Sequence, residues 1–300
     1  MIGGHLFPKC YNLPMKIRKM RPEDAHKIIQ LDVESFKIYY PAKQPRSEQN
    51  ILSSLALNPP GCFVALDNDL VGFVFSRKWG RLGWIGTFGV HPKHHSKGIG
   101  QELLSKAYEQ LNRNCDIIGL ETMPEAPYNV GMYLKMGFSL IAPTLLLAKT
   151  ELNSTKKASL LSAASPRQIS LISRKLLSGI DYGIEAENAL QYRWGFPFAN
   201  KNSFCILSAH SGAKDRFILV NALGSPTTQT NSFTSYLQSI ENHALEQKAT
   251  RIVLPVSSLH QNAIQVLLKT GYKVKKCSVR MLKKGNYGDF RAVDISRWAM

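Results

Sequence analysis

Val90-His91-Pro92-Lys93-His94-His95-Ser96-Lys97-Gly98-Ile99-Gly100-Gln101-Glu102-Leu103-Leu104 is the stretch on which the reading of this chain turns. The apolar run before it, Trp84 to Val90, predicts a buried strand. A short basic loop with two glycines follows, and an amphipathic helix opens at about Gln101. A helix N-terminus carries backbone N–H groups without intrahelical acceptors, and its dipole favours anions, so this layout suits a pyrophosphate. Gly98 and Gly100 let the main chain approach the phosphates, and Lys93 and Lys97 add positive charge.

The 300 residues have room for two ordinary domains. Hydrophobic residues make up 44% and charged residues 20%, the balance of a soluble globular protein. No apolar run approaches a membrane span, and Met1 to Pro14 lacks the apolar core of a signal peptide. Cys10, Cys62, Cys115, Cys205 and Cys277 are scattered and never paired as Cys-x-x-Cys. They read as reduced thiols of a cytoplasmic protein, with no zinc site implied. The formal net charge is +17, with more of the excess in residues 151–300 than in 1–150. That charge suits either a polyanionic partner or plain solubility, and no nucleic-acid motif accompanies it.

Outward from the glycine loop, the pattern predicts an edge strand at Met15–Met20 and a helix begun by Arg21-Pro22-Glu23-Asp24. A second helix is expected over Ser47–Leu57, then strands at Cys62–Leu66, Val71–Ser76 and Gly83–Val90. Leu103, Leu104, Ala107, Tyr108 and Leu111 form the apolar stripe of the long helix. A strand at Ile117–Leu120, a helix through Val130, Tyr133 and Leu134, and strands around Phe138–Ile141 and Leu145–Lys149 complete the order β-α-α-β-β-β-α-β-α-β-β. This predicts an α/β fold, a mixed and mostly antiparallel central sheet flanked by helices.

These residues resemble the GNAT superfamily of acetyl-CoA-dependent N-acetyltransferases over residues 15–149. The family's loop, Gln/Arg-x-x-Gly-x-Gly/Ala, stands here as His95-Ser96-Lys97-Gly98-Ile99-Gly100, with His95 in place of Gln or Arg. Its later Tyr-x-x-x-Gly-Phe stands as Tyr133-Leu134-Lys135-Met136-Gly137-Phe138. The resemblance implies acetyl-CoA (coenzyme A) as the cofactor and an amine, small or peptidic, as the acceptor. It places the pyrophosphate on the backbone N–H groups of Lys97, Gly98, Ile99, Gly100 and Gln101, with His95 and Ser96 also in the cofactor-binding loop. The pantetheine arm would lie beside Phe88, Gly89 and Val90, with the Gly89 or Val90 N–H facing the thioester oxygen. It makes Tyr133 the acid for the departing sulfur, and Asn129 either contacts the pantetheine or caps its helix.

After residues 150–164, read as a linker, the pattern repeats. Helices are expected at Pro166–Leu177, Asn231–Glu246 and Gln261–Thr270, and strands at Phe204–Ala209, Arg216–Leu223, Arg251–Val256 and Tyr272–Leu282. Leu134-Lys135-Met136-Gly137-Phe138 matches Leu268-Lys269-Thr270-Gly271-Tyr272 at an offset of 134. The same offset carries Gly98 onto Ser232, Gly100 onto Thr234 and Tyr133 onto Leu267. The chain therefore resembles tandem, YitH-like GNAT proteins, with residues 1–14 an extension, 15–149 catalytic and 165–300 a degenerate copy. That copy is expected to shape the acceptor pocket or regulate, and one CoA is expected per chain.

Glu121, at the carboxyl end of the Ile117–Leu120 strand, is the candidate general base, with Glu125 behind it. His91, His94 and His95 share one loop without metal-ligand spacing, so no metal is assigned. Lys273-Val274-Lys275-Lys276 with Arg280, Lys283 and Lys284 either lines a channel for an acidic substrate or forms a solvated strand face. The sequence thus yields an N-acetyltransferase as first reading. A non-catalytic CoA-sensing or nucleic-acid-associated module is the second, and the oligomeric state is left open.

Overall fold

A computed structural model describes residues 15–37, 41, 44–153, 160–212, 215–226, 230–288 and 292–298. The expected extension 1–14 and part of the linker fall outside these residues. The first half runs β1 (Lys16–Lys19), α1 (Ala25–Phe36), α2 (Glu48–Ala56), β2 (Phe63–Asp67), β3 (Asp69–Trp79) and β4 (Leu82–Val90). It continues with α3 (Ile99–Asn112), β5 (Ile117–Thr122), α4 (Pro127–Lys135) and β6 (Ser139–Lys149). The second half repeats it: β7 (Ser162–Ala163), α5 (Pro166–Leu176), α6 (Gly183–Gln191), β8 (Phe196–Ala199), β9 (Phe204–Ser211), β10 (Arg216–Ser225), α7 (Thr230–Glu246), β11 (Arg251–Ser257), α8 (Gln261–Lys269) and β12 (Lys273–Lys284). A last strand, β13 (Val293–Ser296), has no counterpart among the described residues of the first half. The offset of 134 holds for the starts of β4 and β10, β5 and β11, α4 and α8, and β6 and β12.

The strands form one sheet in the order β1-β2-β3-β4-β5-β12-β6-β11-β10-β9-β8-β7, with β13 branching from β10. The order is a palindrome, and its centre is an exchange. β12 of the second half pairs with β5 of the first, and β6 of the first pairs with β11 of the second. Beside each other, β6 and β12 run antiparallel, so Thr144 faces Ser278, the residue 134 positions on. Among the described residues, only β4 with β5 and β10 with β11 pair in parallel.

Several expectations change here. The segments around Phe138–Ile141 and Leu145–Lys149 are one strand, because Pro143 lies just past the end of the β11 ladder, where its missing N–H costs nothing. The eleventh element expected for the first half is supplied by β12. Ser162–Ala163, read as linker, pairs with β8, and α6, β8 and β13 were not anticipated.

A twofold-like relation across a sheet leaves equivalent helices on the same face. α1 and α2 pack on Phe73 and Phe75, and α5 and α6 pack on Trp79, Trp84 and Ile117 of that same face. The two pairs touch where Ser53 Oγ donates to Asn188 Oδ1 at 2.6 Å. On the opposite face, α3 and α4 cover Val74, Ile85 and Leu120, while α7 and α8 cover Val220, Ile252 and Leu254. Burying these side chains removes apolar area worth about 1.5–3 kcal/mol for each large one. Among the described residues, no helix is long and apolar enough to cross a membrane.

Candidate active site

β4 and β5 are hydrogen-bonded neighbours only from Leu82/Ile117 to Ile85/Leu120. Beyond that point a bulge intervenes: Ile85 faces Ser76 and Phe88 faces Val74, so Gly86 and Thr87 together oppose Phe75. A bulge bends its strand and raises its twist. The end of β4 thus leaves β5, and a wedge opens whose β4 side is backbone without a partner strand among the described residues. The loop expected to hold phosphate stands at the mouth of this wedge.

In that loop Ser96 (φ 62°) and Gly98 (φ 80°) take left-handed backbone, and Gly98 caps α3, which starts at Ile99 rather than Gln101. Glu102 N is the donor that closes the first turn onto Gly98 O, leaving the earlier N–H groups of the helix aimed out of its end. A Cβ on Gly98 would meet nothing within 4 Å, so this glycine serves conformation and access rather than packing. At Gly100 a Cβ would stand 3.3 Å from Phe88 Cε2. The loop backbone is thus bare toward solvent and firm beneath, which fits an anion such as the pyrophosphate of CoA.

His95, expected to face that group, lies with Nε2 3.0 Å from Val90 O, tying the loop back to the end of β4. His91 Nδ1 accepts from Lys93 N and its Nε2 lies 3.1 Å from Glu34, while His94 sits 3.3 Å from Asp67. Each histidine has a local structural partner. Lys93, Ser96 and Lys97 are exposed.

Tyr133 reaches the wedge from α4. Its ring packs edge-on against Phe88 (6.2 Å) and Phe138 (5.9 Å), and it is 5% exposed. Burial pushes its hydroxyl well above the ordinary phenol range, and a hydrogen bond with the Thr122 side chain pulls the other way. The group is therefore a proton carrier rather than a phenolate. Gly137 (φ 85°) ends α4 and lets Phe138 turn in beneath Tyr133. Asn129 is in the first turn of α4, whose cap is Ala126, so the capping alternative for Asn129 does not apply.

Glu121 points to the opposite face and is held on every side. Its Oε1 accepts from Ser278 Oγ, and Oε2 accepts from Thr144 Oγ1 (3.3 Å) and Arg280 Nε (3.0 Å). Both side chains of the Glu121–Arg280 pair are 1% exposed. Arg280 also donates to Tyr287 Oη (2.8 Å) and Ser296 O (2.6 Å) and stacks on Trp298 at 4.2 Å. Burial alone would lower its pKa, yet Tyr287, Glu121 and Asp294 raise it beyond the ordinary value. Arg280 thus does not belong to the solvated lysine face of β12, where Lys273, Lys275 and Lys276 are exposed and Lys283 lies over Tyr108. Glu125 is exposed in the loop ahead of α4. The clamp on Glu121 could not be read from sequence, since two of its members come from β12, 157 and 159 residues away.

The second copy repeats the wedge and fills it. β10 and β11 pair over Phe217/Arg251 to Leu219/Val253 and then part. Into that gap comes β13, antiparallel to β10, with Ala222 facing Ser296, Leu223 facing Ile295, Gly224 facing Asp294 and Ser225 facing Val293. By the offset, Ala222–Ser225 correspond to Phe88–His91, the edge left open in the first half. Leu267, at the place of Tyr133, is fully buried in the apolar core.

With this geometry in view, relatives are informative. The sequence model of the acetyltransferase (GNAT) family matches residues 25–138. An acetyltransferase of Pectobacterium atrosepticum is 30% identical over 129 residues, which are 42% of this chain and 89% of that protein. In fold, a putative acetyltransferase from Pyrococcus horikoshii superposes with a TM-score of 0.75 at 18% identity, over 98% of this chain and 99% of that one. A tandem GNAT protein from the clavulanic acid biosynthesis pathway gives 0.59 at 13% identity, over 92% and 100%. The chain belongs to the GNAT acetyltransferase family, and its two halves form a tandem GNAT fold.

Proposed function

We propose that the first half transfers an acetyl group from acetyl-CoA directly to a primary amine. The observation that carries this reading is the wedge itself: β4 parts from β5 directly behind the glycine-capped end of α3, and Tyr133 stands beside it. Bound there, acetyl-CoA supplies an activated thioester carbonyl. The N–H groups at the start of α3 receive its pyrophosphate, and Gly98 keeps that end uncovered. Phe88, Gly89 and Val90 offer an open strand edge to the pantetheine arm, and an N–H of Gly89 or Val90 serves as donor to the carbonyl oxygen.

The acceptor nitrogen must reach the carbonyl as a neutral amine. We assign its ammonium proton to the exposed Glu125, through water, because both oxygens of Glu121 are already engaged. The new bond joins nitrogen to the acetyl carbon, the carbon–sulfur bond breaks, Tyr133 Oη gives its proton to the sulfur, and the proton shed by the acylated nitrogen passes to solvent, from which Tyr133 recovers its own. Released thiol, followed for a panel of primary amines, tests the reading. Thiol release above hydrolysis with at least one amine, reduced in Tyr133→Phe, is expected; no amine-dependent release across the panel would refute it.

A further inference from the structure

β5 stops at Thr122 while both its neighbours run on, β4 to Val90 and β12 from as far out as Lys273. The lane that β5 vacates is bounded by two edges without a partner strand among the described residues. One is Gly86–Val90 of β4, given above to the pantetheine arm. The other is Lys273–Ser278 of β12, whose far side pairs with β6. At the foot of the lane the chain folds into a turn, with Ala126 N donating to Met123 O at 3.2 Å, and leaves for α4.

The second copy closes the same edge. There Ser257 carries the β11 ladder on to Thr144, and Ser258 N donates to Pro143 O at 2.8 Å. In the first copy Met123 and Pro124 stand in the places of Ser257 and Ser258, and Ser278 and Cys277 in those of Thr144 and Pro143. Proline has no N–H to give. The β5 ladder ends at Thr122 with Val279, and the loop makes no hydrogen bond to the Cys277 carbonyl. Burial, then Glu121 and the exposed Glu125, raise the Cys277 thiol above its ordinary pKa. The edge therefore opens beside the carboxylate to which the ammonium proton is assigned.

An open edge carries N–H and C=O groups that an extended chain satisfies by adding as a strand. Charge selects the chain. Lys273, Lys275 and Lys276 are exposed and have no carboxylate partner among the described residues, in a protein of net charge +17. Lysines on an edge deter a second copy of this basic chain and favour an acidic one. Resting on the acetyl-transfer reading above, we propose that the acceptor is the N-terminus of an extended acidic peptide segment that adds to β12 along Lys273–Ser278. Running antiparallel to β12, as β5 does, such a segment begins where β5 ends. Its first residue, with the α-amine, stands between the two open edges, and its acidic side chains pass Lys276, Lys275 and Lys273. Val274, nearly half exposed among them, adds an apolar contact.

Pentapeptides with a free N-terminus, matched except for acidic, amide or basic residues after the first, test this by thiol release. Their kcat/KM is expected to rank acidic above amide above basic. With Lys275→Glu and Lys276→Glu combined, it should fall about 5–30-fold for the acidic peptide and rise for the basic one. A merely structural role for these lysines would not reverse the preference. N-methylation along the acidic peptide should cost about tenfold at alternate amides, those turned to β12, and little between them. Equal rates for the three peptides, losses without alternation, or acetylation of small amines but of no peptide would overturn the inference and leave acetyl transfer standing. So would preference for a lysine side chain in an N-terminally blocked peptide. If neither peptides nor small amines are acetylated, amide exchange decides. Slowed exchange at Lys273–Ser278 on adding the acidic peptide keeps the docking edge and removes the transferase reading; unchanged exchange removes both.

Discussion

The wedge between β4 and β5 and the wedge between β10 and β11 are built from equivalent segments, 134 residues apart, and end differently. In the first, the strand edge at Phe88–Val90 meets no third strand among the described residues, and the helix behind it starts at a left-handed glycine. In the second, β13 takes the matching edge, Ala222–Ser225, and its own side chains, with Trp298 beyond them, are buried. Loss of phosphate-loop glycines would weaken a cofactor site; a covalently attached strand in the cleft removes it. The same strand serves the first wedge, because Ser296 helps fix Arg280, which fixes Glu121. Duplication here produced one open wedge and one filled wedge that braces it.

The most severe way to break the comparison is at Tyr133. Tyr133→Phe should lower kcat by about 10²–10⁴-fold, the usual contribution of a positioned acid, with CoA affinity nearly unchanged. Leu267→Tyr in the second copy should restore nothing in that background. Because burial raises the Tyr133 pKa, its hydroxyl stays protonated through the alkaline range. A pH–kcat profile should therefore show no falling limb from this group up to about pH 10, the ordinary phenol value. A fall near neutrality that vanishes in Tyr133→Phe would contradict the assignment.

The brace is tested at Glu121 and Arg280. Removing one partner of a buried ion pair leaves an uncompensated charge, so Arg280→Met should cost about 3–5 kcal/mol of unfolding free energy in a denaturant titration. Glu121→Gln should also destabilise, and the double replacement should cost less than the two single changes added. If Glu121→Gln instead leaves stability intact and depresses kcat alone, Glu121 is the base after all, and the brace is the wrong description.

Gly98→Ala is milder. Left-handed backbone costs an L-residue about 1–2 kcal/mol, so CoA affinity should drop by about 5–30-fold. Calorimetry should find one site per wild-type chain and no second, tighter site in the mutant. A residual site of unchanged affinity would mean that the filled wedge binds CoA.

Sequence made the first wedge legible because its signals are local. A strand, a two-glycine loop and a helix stripe lie within Trp84–Leu111, and Tyr133 is tied to Gly137-Phe138 by spacing. The start of α3 was misplaced by two residues, since a glycine N-cap with positive φ looks like loop. The exchange of β6 and β12 was not legible, because both strands carry the same pattern and either would satisfy β5. The engagement of Glu121 is hidden from sequence for a related reason. A carboxylate at a strand end reads as free until Ser278 and Arg280 are brought beside it by that exchange. β13 escaped notice because four residues, Val293–Ser296, give too short a pattern to mark a strand.

The smallest effect is also the most direct comparison of the two wedges. Amide exchange reports whether an N–H is held in a ladder and how often that ladder opens. In β10, Ala222–Gly224 lie between β9 and β13, with a partner strand on either edge, and Ser225 is paired with β13. In β4, the amides over Gly86–Val90 that face the wedge have none. Without ligand, those β4 amides should exchange far faster than their β10 counterparts. Added acetyl-CoA should slow the β4 set and leave the β10 set unmoved, because only the open edge has room for a bound arm. Equal protection of both edges before ligand would mean that the first wedge is closed. Slowing at β10 on ligand addition would mean that β13 yields its place, and that the second copy is a site held shut rather than a site lost.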